Sequence, residues 1–339
     1  MITFRIVSVT LFSLAIFSVG TAFAAPDPNA LEKLDPNFAV VEPGADVQWY
    51  DALQLGLEGQ GWSETAHPYD RLPAKAEGVA PPAVWSLSQH SAGLSVRFVS
   101  DSPEISARWS VRSGNLAMPH MPATGVSGLD LYAKDGDRWR WLAQGRPSQQ
   151  NDNVAKLVGG APAGLHEYTI FLPLYNGTEK LEIGVKPGCT LAKGPARADA
   201  RPIVFYGTSI THGGCASRPG MSYPAIIGQR LDRDHINLGF SGNGRMEPEM
   251  ATLIAELKAS VFVLDCLPNM TPEQVTERVA PTVKTLRAAH PDTPIVLVEN
   301  IIYQSSWFYE GDGGHVAKNA ALKQAYEGLV AEGVAGLTY

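Results

Sequence analysis

Ser209, Gly242 and Asn269 are the residues whose types and surroundings suit nucleophilic acyl transfer. Ser209 sits in Arg201-Pro-Ile-Val-Phe-Tyr-Gly-Thr-Ser-Ile-Thr-His-Gly-Gly-Cys215, an apolar run cut by Gly207 and followed by a helix-like segment. Such a run reads as a buried parallel strand ending in a sharp turn. A serine on that turn is rigidly held and faces the crevice where open α/β sheets bind ligands. The plain alternative is a Ser/Thr helix cap at an ordinary loop. Two further strand ends add to the first. Ile236-Asn-Leu-Gly-Phe-Ser-Gly-Asn-Gly-Arg245 carries glycines where backbone can approach a ligand, and Val261-Phe-Val-Leu-Asp-Cys-Leu-Pro-Asn269 ends in an amide. Backbone N–H groups at Ser209 and Gly242, with the Asn269 side chain, supply three donors for the oxyanion of a tetrahedral intermediate.

The elements that must position these residues change character along the chain. From Val47 to Val185 short alternating segments, among them Ala83-Val-Trp-Ser-Leu, Leu94-Ser-Val-Arg-Phe-Val and Ile105-Ser-Ala-Arg-Trp-Ser-Val, are punctuated by Gly, Pro, Asn and Asp. They predict a β-sandwich, with Lys134-Asp-Gly-Asp-Arg138 as a hairpin turn. After Pro195, strand-like runs at 203–206, 235–238, 261–264 and 295–298 alternate with helical patterns at 223–231, 247–257, 272–289 and 318–332. That alternation predicts a parallel sheet covered by helices. The expected division is a leader at 1–24, an arm at 25–46, the sandwich at 47–193 and the α/β domain at 194–339.

Composition narrows the function. The 339 residues are 45% hydrophobic and 18% charged, with net charge −7 and no run of Lys or Arg. Nucleic acid and anionic membranes are not expected partners. Met1–Ala24, with one charge at Arg5 and an Ala22-Phe-Ala24 cleavage pattern, reads as a secretory signal. A secreted or periplasmic protein without stable membrane insertion is expected. The three cysteines are Cys189, Cys215 and Cys266. Export permits a disulfide, for which Cys215 and Cys266 are the better pair, and an odd count leaves one thiol free. Asn176-Gly-Thr178 matches a glycosylation acceptor but more simply marks a turn.

These motifs resemble the SGNH (GDSL-like) hydrolases. Gly-Thr-Ser209-Ile stands for the nucleophile block, Phe-Ser-Gly242-Asn-Gly for the glycine block and Leu-Pro-Asn269 for the asparagine block. Gly128-Leu-Asp130-Leu-Tyr132 matches the Gly-x-Asp-Leu-Tyr signature of secreted bacterial members that carry a sandwich before the hydrolase domain. The resemblance implies a flavodoxin-like sheet and serine ester hydrolysis, often deacetylation of carbohydrate, without metal or organic cofactor. The implied substrate is a small-molecule or polysaccharide ester. A non-catalytic carbohydrate-binding protein is the alternative.

The family takes its general base from an Asp-x-x-His block after the fifth strand, and no histidine follows His315 here. Gly336-Leu-Thr-Tyr339 reads as the opening of that strand. The expectation is therefore a truncated frame, its base beyond Tyr339, and a poorly active or unstable polypeptide. Asp312-Gly-Gly-His315 has the literal spacing but precedes the fifth strand, and His120 lies in a Met-Pro-His-Met-Pro loop. His212 could line the site, and His290 reads as structural. Asp265 reads as a buried carboxylate that orders the loops. Arg218 and Arg245 are polar loop residues. Trp307-Phe-Tyr309 could wall a sugar ring or serve as a docking surface for the sandwich.

Overall fold

Alternating apolar side chains between residues 40 and 193 produce two facing antiparallel sheets in the computed structural model, which describes residues 31–308 and 314–339. The leader reading at 1–24 and Asp312 lie outside those residues. The sandwich strands are β1 (Val40–Val41), β2 (Gln48–Asp51), β3 (Ser95–Ser100), β4 (Glu104–Val111), β5 (Leu129–Asp135), β6 (Arg138–Gly145), β7 (Asn153–Gly159), β8 (His166–Phe171), β9 (Thr178–Val185) and β10 (Leu191–Lys193). One sheet runs β1-β2-β9-β4-β7 and the other β10-β3-β8-β5-β6. Val96, Phe98, Ile105, Ala107, Trp109, Ile170 and Ile183 fill the space between them. The hairpin expected around Gly136 joins β5 to β6.

Two local readings change. Ala83-Val-Trp-Ser-Leu is not a strand but lies in helix α1 (Pro82–Ser88), with Pro82 at its first turn. A proline there fits a helix start, and five residues cannot separate the two periods. The expected loose arm contributes β1, which pairs Val40 with Trp49 and Val41 with Gln48.

The second half is a five-stranded parallel sheet. Its strands are β11 (Ile203–Gly207), β12 (His235–Gly239), β13 (Val261–Asp265), β14 (Ile295–Leu297) and β15 (Leu337–Thr338), in the order β12-β11-β13-β14-β15. Gly336-Leu-Thr-Tyr339 does open a fifth strand, with Leu337 level with Ile295. After α1 and the short α2 (Ala123–Val126) come α3 (Ser209–His212), α4 (Tyr223–Leu231), α5 (Pro248–Ile254), α6 (Pro272–Ala289) and α7 (His315–Ala331). Helix α6 begins with a Thr271–Gln274 capping box and buries Val275, Val279, Val283 and Leu286 along one stripe. Among the described residues no helix is long and apolar enough to cross a membrane.

Leu31–Tyr339 is one compact unit. The seam between sandwich and parallel sheet shows why. Leu72, Ala76, Ala80 and Val84 precede β3 in the chain, yet they belong to the core of the parallel sheet. Arg71 is 2% exposed. It donates to Leu87 O at 2.7 Å and His90 O at 2.8 Å, and to Asn237 O and Gly239 O at 2.9 and 2.8 Å. Strand β12 is an edge of its sheet, so those last two carbonyls have no strand neighbour on that side. Burial pushes the guanidinium down to about 9, and the nearby Asp70 and Tyr175 oppose that shift.

Arg71→Met should lower unfolding free energy by at least about 3 kcal/mol, because it takes a donor from four backbone carbonyls, two of them in fully buried contacts. Arg71→Lys should recover less than half of that loss, since one ammonium cannot span all four. Urea unfolding of both variants measures the two values, and equal stability of Lys and Arg forms would remove the guanidinium fork from the explanation.

Candidate functional site

The parallel register places three strand ends on one line. Gly207 at the end of β11 is level with Gly239 of β12 on one side and Asp265 of β13 on the other. Ser209, Gly242 and Asn269 follow within a few residues, so adjacent loops carry them at the same edge of the sheet. Strand β11 is buried throughout, as a central parallel strand requires. Thr208 then leaves the strand in extended geometry and caps α3, its side chain accepting from Ile210 N at 3.3 Å. Ser209 is the first residue of α3, where a helix leaves its N–H groups unpaired. Gly214 N and Gly213 N donate to the Ser209 carbonyl at 2.7 and 3.1 Å, which closes the turn.

The three loops are tied to one another. Phe240 N donates to Gly207 O at 3.0 Å, and the Asn269 amide donates to Asn243 O at 2.6 Å. Gly244 has φ +71°, and a Cβ there would stand 2.0 Å from Gly207 O. The sequence suggests glycines that let a ligand approach, but at this position the approaching group is the neighbouring loop. Gly242, also at positive φ, has open space around it. Ser209 and Asn269 are half-buried and Gly242 is exposed. Arg245 donates to Gly242 O at 2.8 Å, a contact within the loop. Beneath the loop Tyr206 donates to Glu247, which also accepts from Arg245 N at 2.9 Å.

Asp265 is 7% exposed and takes hydrogen bonds from Tyr223 at 2.8 Å and Thr211 at 3.2 Å. Burial raises its pKa, and the two hydroxyls pull it back. The carboxylate joins the end of β13 to α3 and α4. Its contacts are those of the loop-ordering role the sequence suggests.

The histidines separate by environment. His212 does not line the crevice. It is fully buried, its Nε2 lies 2.6 Å from Leu174 O, and its ring stacks on Tyr175 at 4.1 Å. Burial, with Arg71 nearby, holds its pKa well below the ordinary value. His290 Nε2 lies 2.7 Å from Ala255 O, so that ring joins the end of α6 to the residue after α5. His120 is exposed beside the Met118–Met121 bridge. His315 is 5% exposed at the start of α7, although a histidine in a Gly-rich loop usually faces water. One turn later Lys318 reaches Pro268 O at 3.2 Å, so α7 begins against the asparagine loop. Trp307 is 82% exposed in the segment after β14. Cys189, Cys215 and Cys266 are all free. The favoured Cys215–Cys266 pairing does not form, because Cys266 is buried with its thiol toward Tyr206 O while Cys215 is exposed. Asn176 is also buried and donates to Ser113 O and Ser127 Oγ, which fits the turn and not a glycan.

The sandwich supplies residues that the sequence marks without explaining. Asp130 is fully buried and accepts from Gly220 N and Trp141 Nε1, both at 2.9 Å. Gly220 lies flat on Tyr132, and a Cβ there would be 2.4 Å from that ring. Asp130 and Tyr132 therefore hold the segment that leads from α3 to α4. Tyr175, from the loop after β8, reaches the Ser209 carbonyl at 3.4 Å. Spacing on β5 puts Asp130 and Tyr132 on one face of the sheet, but nothing in the sequence identifies Gly220 as their partner.

Comparison with known proteins matches both halves. Residues 47–191 match the GxDLY family, described as the N-terminus of SGNH-hydrolase-type esterases. Residues 200–339 match the GDSL-like lipase/acylhydrolase family. A protein from Bacteroides ovatus ATCC 8483, described as a GDSL-like lipase, is 35% identical with TM-score 0.80 over 86% of each chain. The salicylyl-acyltransferase SsfX3 of a tetracycline biosynthetic pathway is 21% identical with TM-score 0.67, over 89% of this chain and 84% of its own. A family two carbohydrate esterase from Clostridium thermocellum is 16% identical with TM-score 0.53, over 73% of this chain and 81% of its own. The last two share the fold. No curated protein matches the chain.

Burial raises Asp130 to about 6, against the Gly220 N–H, Arg218 and Trp141, which lower it. Folded Asp130 thus holds a proton that the unfolded chain has released, and its contribution falls as pH rises through about 6. Asp130→Asn lacks that dependence. Its stability relative to wild type should rise by up to about 3 kcal/mol between roughly pH 4 and 7. Paired urea titrations at both pH values test this, and a flat difference would mean that Asp130 does not titrate in this range.

Proposed function

The chain belongs to the SGNH/GDSL-like family of esterases and acylhydrolases, and on that premise we propose that it is a serine esterase with Ser209 as nucleophile. The observation that carries the reading is the cross-tied set of strand ends, with Ser209, Gly242 and Asn269 on loops that begin at one level of the sheet. Ser209 Oγ attacks the ester carbonyl and gives its proton to a general base. The carbonyl oxygen becomes an oxyanion held by the Ser209 and Gly242 N–H groups and the Asn269 amide. Collapse expels the alcohol and leaves an acyl-serine, which water hydrolyses to the free acid. Asn269 is held against Asn243 O, so its position is fixed before substrate arrives.

The finer reading is an acetyl ester on carbohydrate, cleaved outside the cytoplasm after removal of the leader. The exposed Trp307 ring, in the segment after β14, offers a face for a sugar.

Hydrolysis of p-nitrophenyl acetate by the full-length protein should fall to background in Ser209→Ala. Asn269→Ala should lower turnover by about a hundred- to a thousandfold, as the loss of one oxyanion donor does. Undiminished turnover in Ser209→Ala would sink the nucleophile assignment. Retained binding of acetylated oligosaccharide with no Ser209-dependent turnover would favour a carbohydrate-binding protein instead.

A further inference from the structure

A cleft of about 570 Å³ opens where the β5–β6 hairpin faces α4, walled by Tyr132, Arg138, Trp139, Arg218, Gln229 and Arg230. Its wall does not include Ser209, Gly242 or Asn269. Its volume is that of a site for a ligand of several rings or groups, well beyond a lone small anion.

The guanidinium groups here differ from those that carboxylates hold elsewhere in the chain. Arg97, Arg108, Arg112, Arg197 and Arg233 each hydrogen-bond a carboxylate. Arg138 instead lies 3.8 Å from Asp137, with both side chains more than 80% exposed. Arg230 forms no ion pair among the described residues. Arg218 lies 3.3 Å from Asp130, but its buried Nε makes no hydrogen bond. Its guanidinium sits 4.8 Å over the Trp141 ring, which fixes its position. Asp137 is the one acidic residue in the wall, with Asp130 buried behind it. Nearby Asp232 is occupied by Lys134, Arg197 and the Trp139 indole. A protein of net charge −7 thus gathers two exposed guanidinium groups, Arg138 and Arg230, around one concavity, with a third, Arg218, paired to buried Asp130.

We propose that this cleft binds an acidic oligosaccharide, whose carboxylate or sulfate groups pair with Arg138, Arg218 and Arg230. A guanidinium meets either group with two parallel N–H donors. The half-buried Trp139 ring and the Gln229 amide beside it suit an apolar face and the hydroxyls of sugar rings. Binding at this second site requires no turnover, so it stands apart from the role of Ser209.

The test is calorimetric titration of the full-length protein with tri-galacturonic acid, a sulfated carrageenan oligosaccharide and neutral cellotriose. Each is run at low salt and at about 0.5 M salt, where exposed charges are screened. At least one acidic sugar should bind about tenfold or more tighter than cellotriose and weaken in salt. The acid that binds identifies the group recognised. Arg138→Ala/Arg230→Ala removes two exposed side chains outside the esterase machinery. It should weaken that binding at least about tenfold and leave p-nitrophenyl acetate hydrolysis unchanged. Equal affinity for cellotriose, unaltered binding by the double variant, or no binding of either acid would overturn the proposal.

Discussion

A single buried guanidinium closes the exposed side of the parallel sheet. Arg71 binds two carbonyls of edge strand β12 and two at the end of α1, without a hydrogen bond to any carboxylate. Burying a charge is costly unless its hydrogen bonds are met, and here four backbone oxygens meet them. The same contacts fix where β12 ends. Its last residue, Gly239, directly precedes the glycine loop, and the guanidinium lies 4.9 Å from the Phe240 ring. The position of Gly242 thus depends on a residue of the segment between β2 and β3.

Rigidity at the strand ends comes from short polar links, not from covalent bridges. Asn269 to Asn243, Phe240 to Gly207 and Thr211 to Asp265 join three loops in a ring of contacts. On the sandwich side, Asp130 holds Gly220 and Tyr175 touches the Ser209 carbonyl. Such links hold the loops in one arrangement, as the proposed oxyanion donors would require. The sandwich therefore takes part in shaping the crevice.

The sequence was most informative where each strand had a distinct local pattern. Apolar runs locate β11, β12 and β13, the first two closed by glycine, and the helical pattern at 272–289 locates α6. The order of the three motif blocks was enough to gather Ser209, Gly242 and Asn269 at one edge. Contacts that join distant segments were not legible. Arg71 is one arginine in a polar stretch, and nothing nearby shows that it will be buried. Leu72, Ala76, Ala80 and Val84 lie within the sandwich region of the chain but pack under the parallel sheet. His212 misled for a related reason. Its nearness to Ser209 in sequence suggested the crevice, whereas the helical turn directs it toward Leu174.

The seam also sets an order of events during synthesis. The last sandwich strand, β10, is complete at Lys193, so both antiparallel sheets can assemble before the parallel sheet exists. Arg71 must wait longer. Its partners Asn237 and Gly239 are separated from it by 166 and 168 residues. Until they emerge, Leu72, Ala76, Ala80 and Val84 have no core to enter, and the guanidinium remains hydrated. The nascent chain can therefore complete its sandwich while this apolar segment still awaits the core it belongs to.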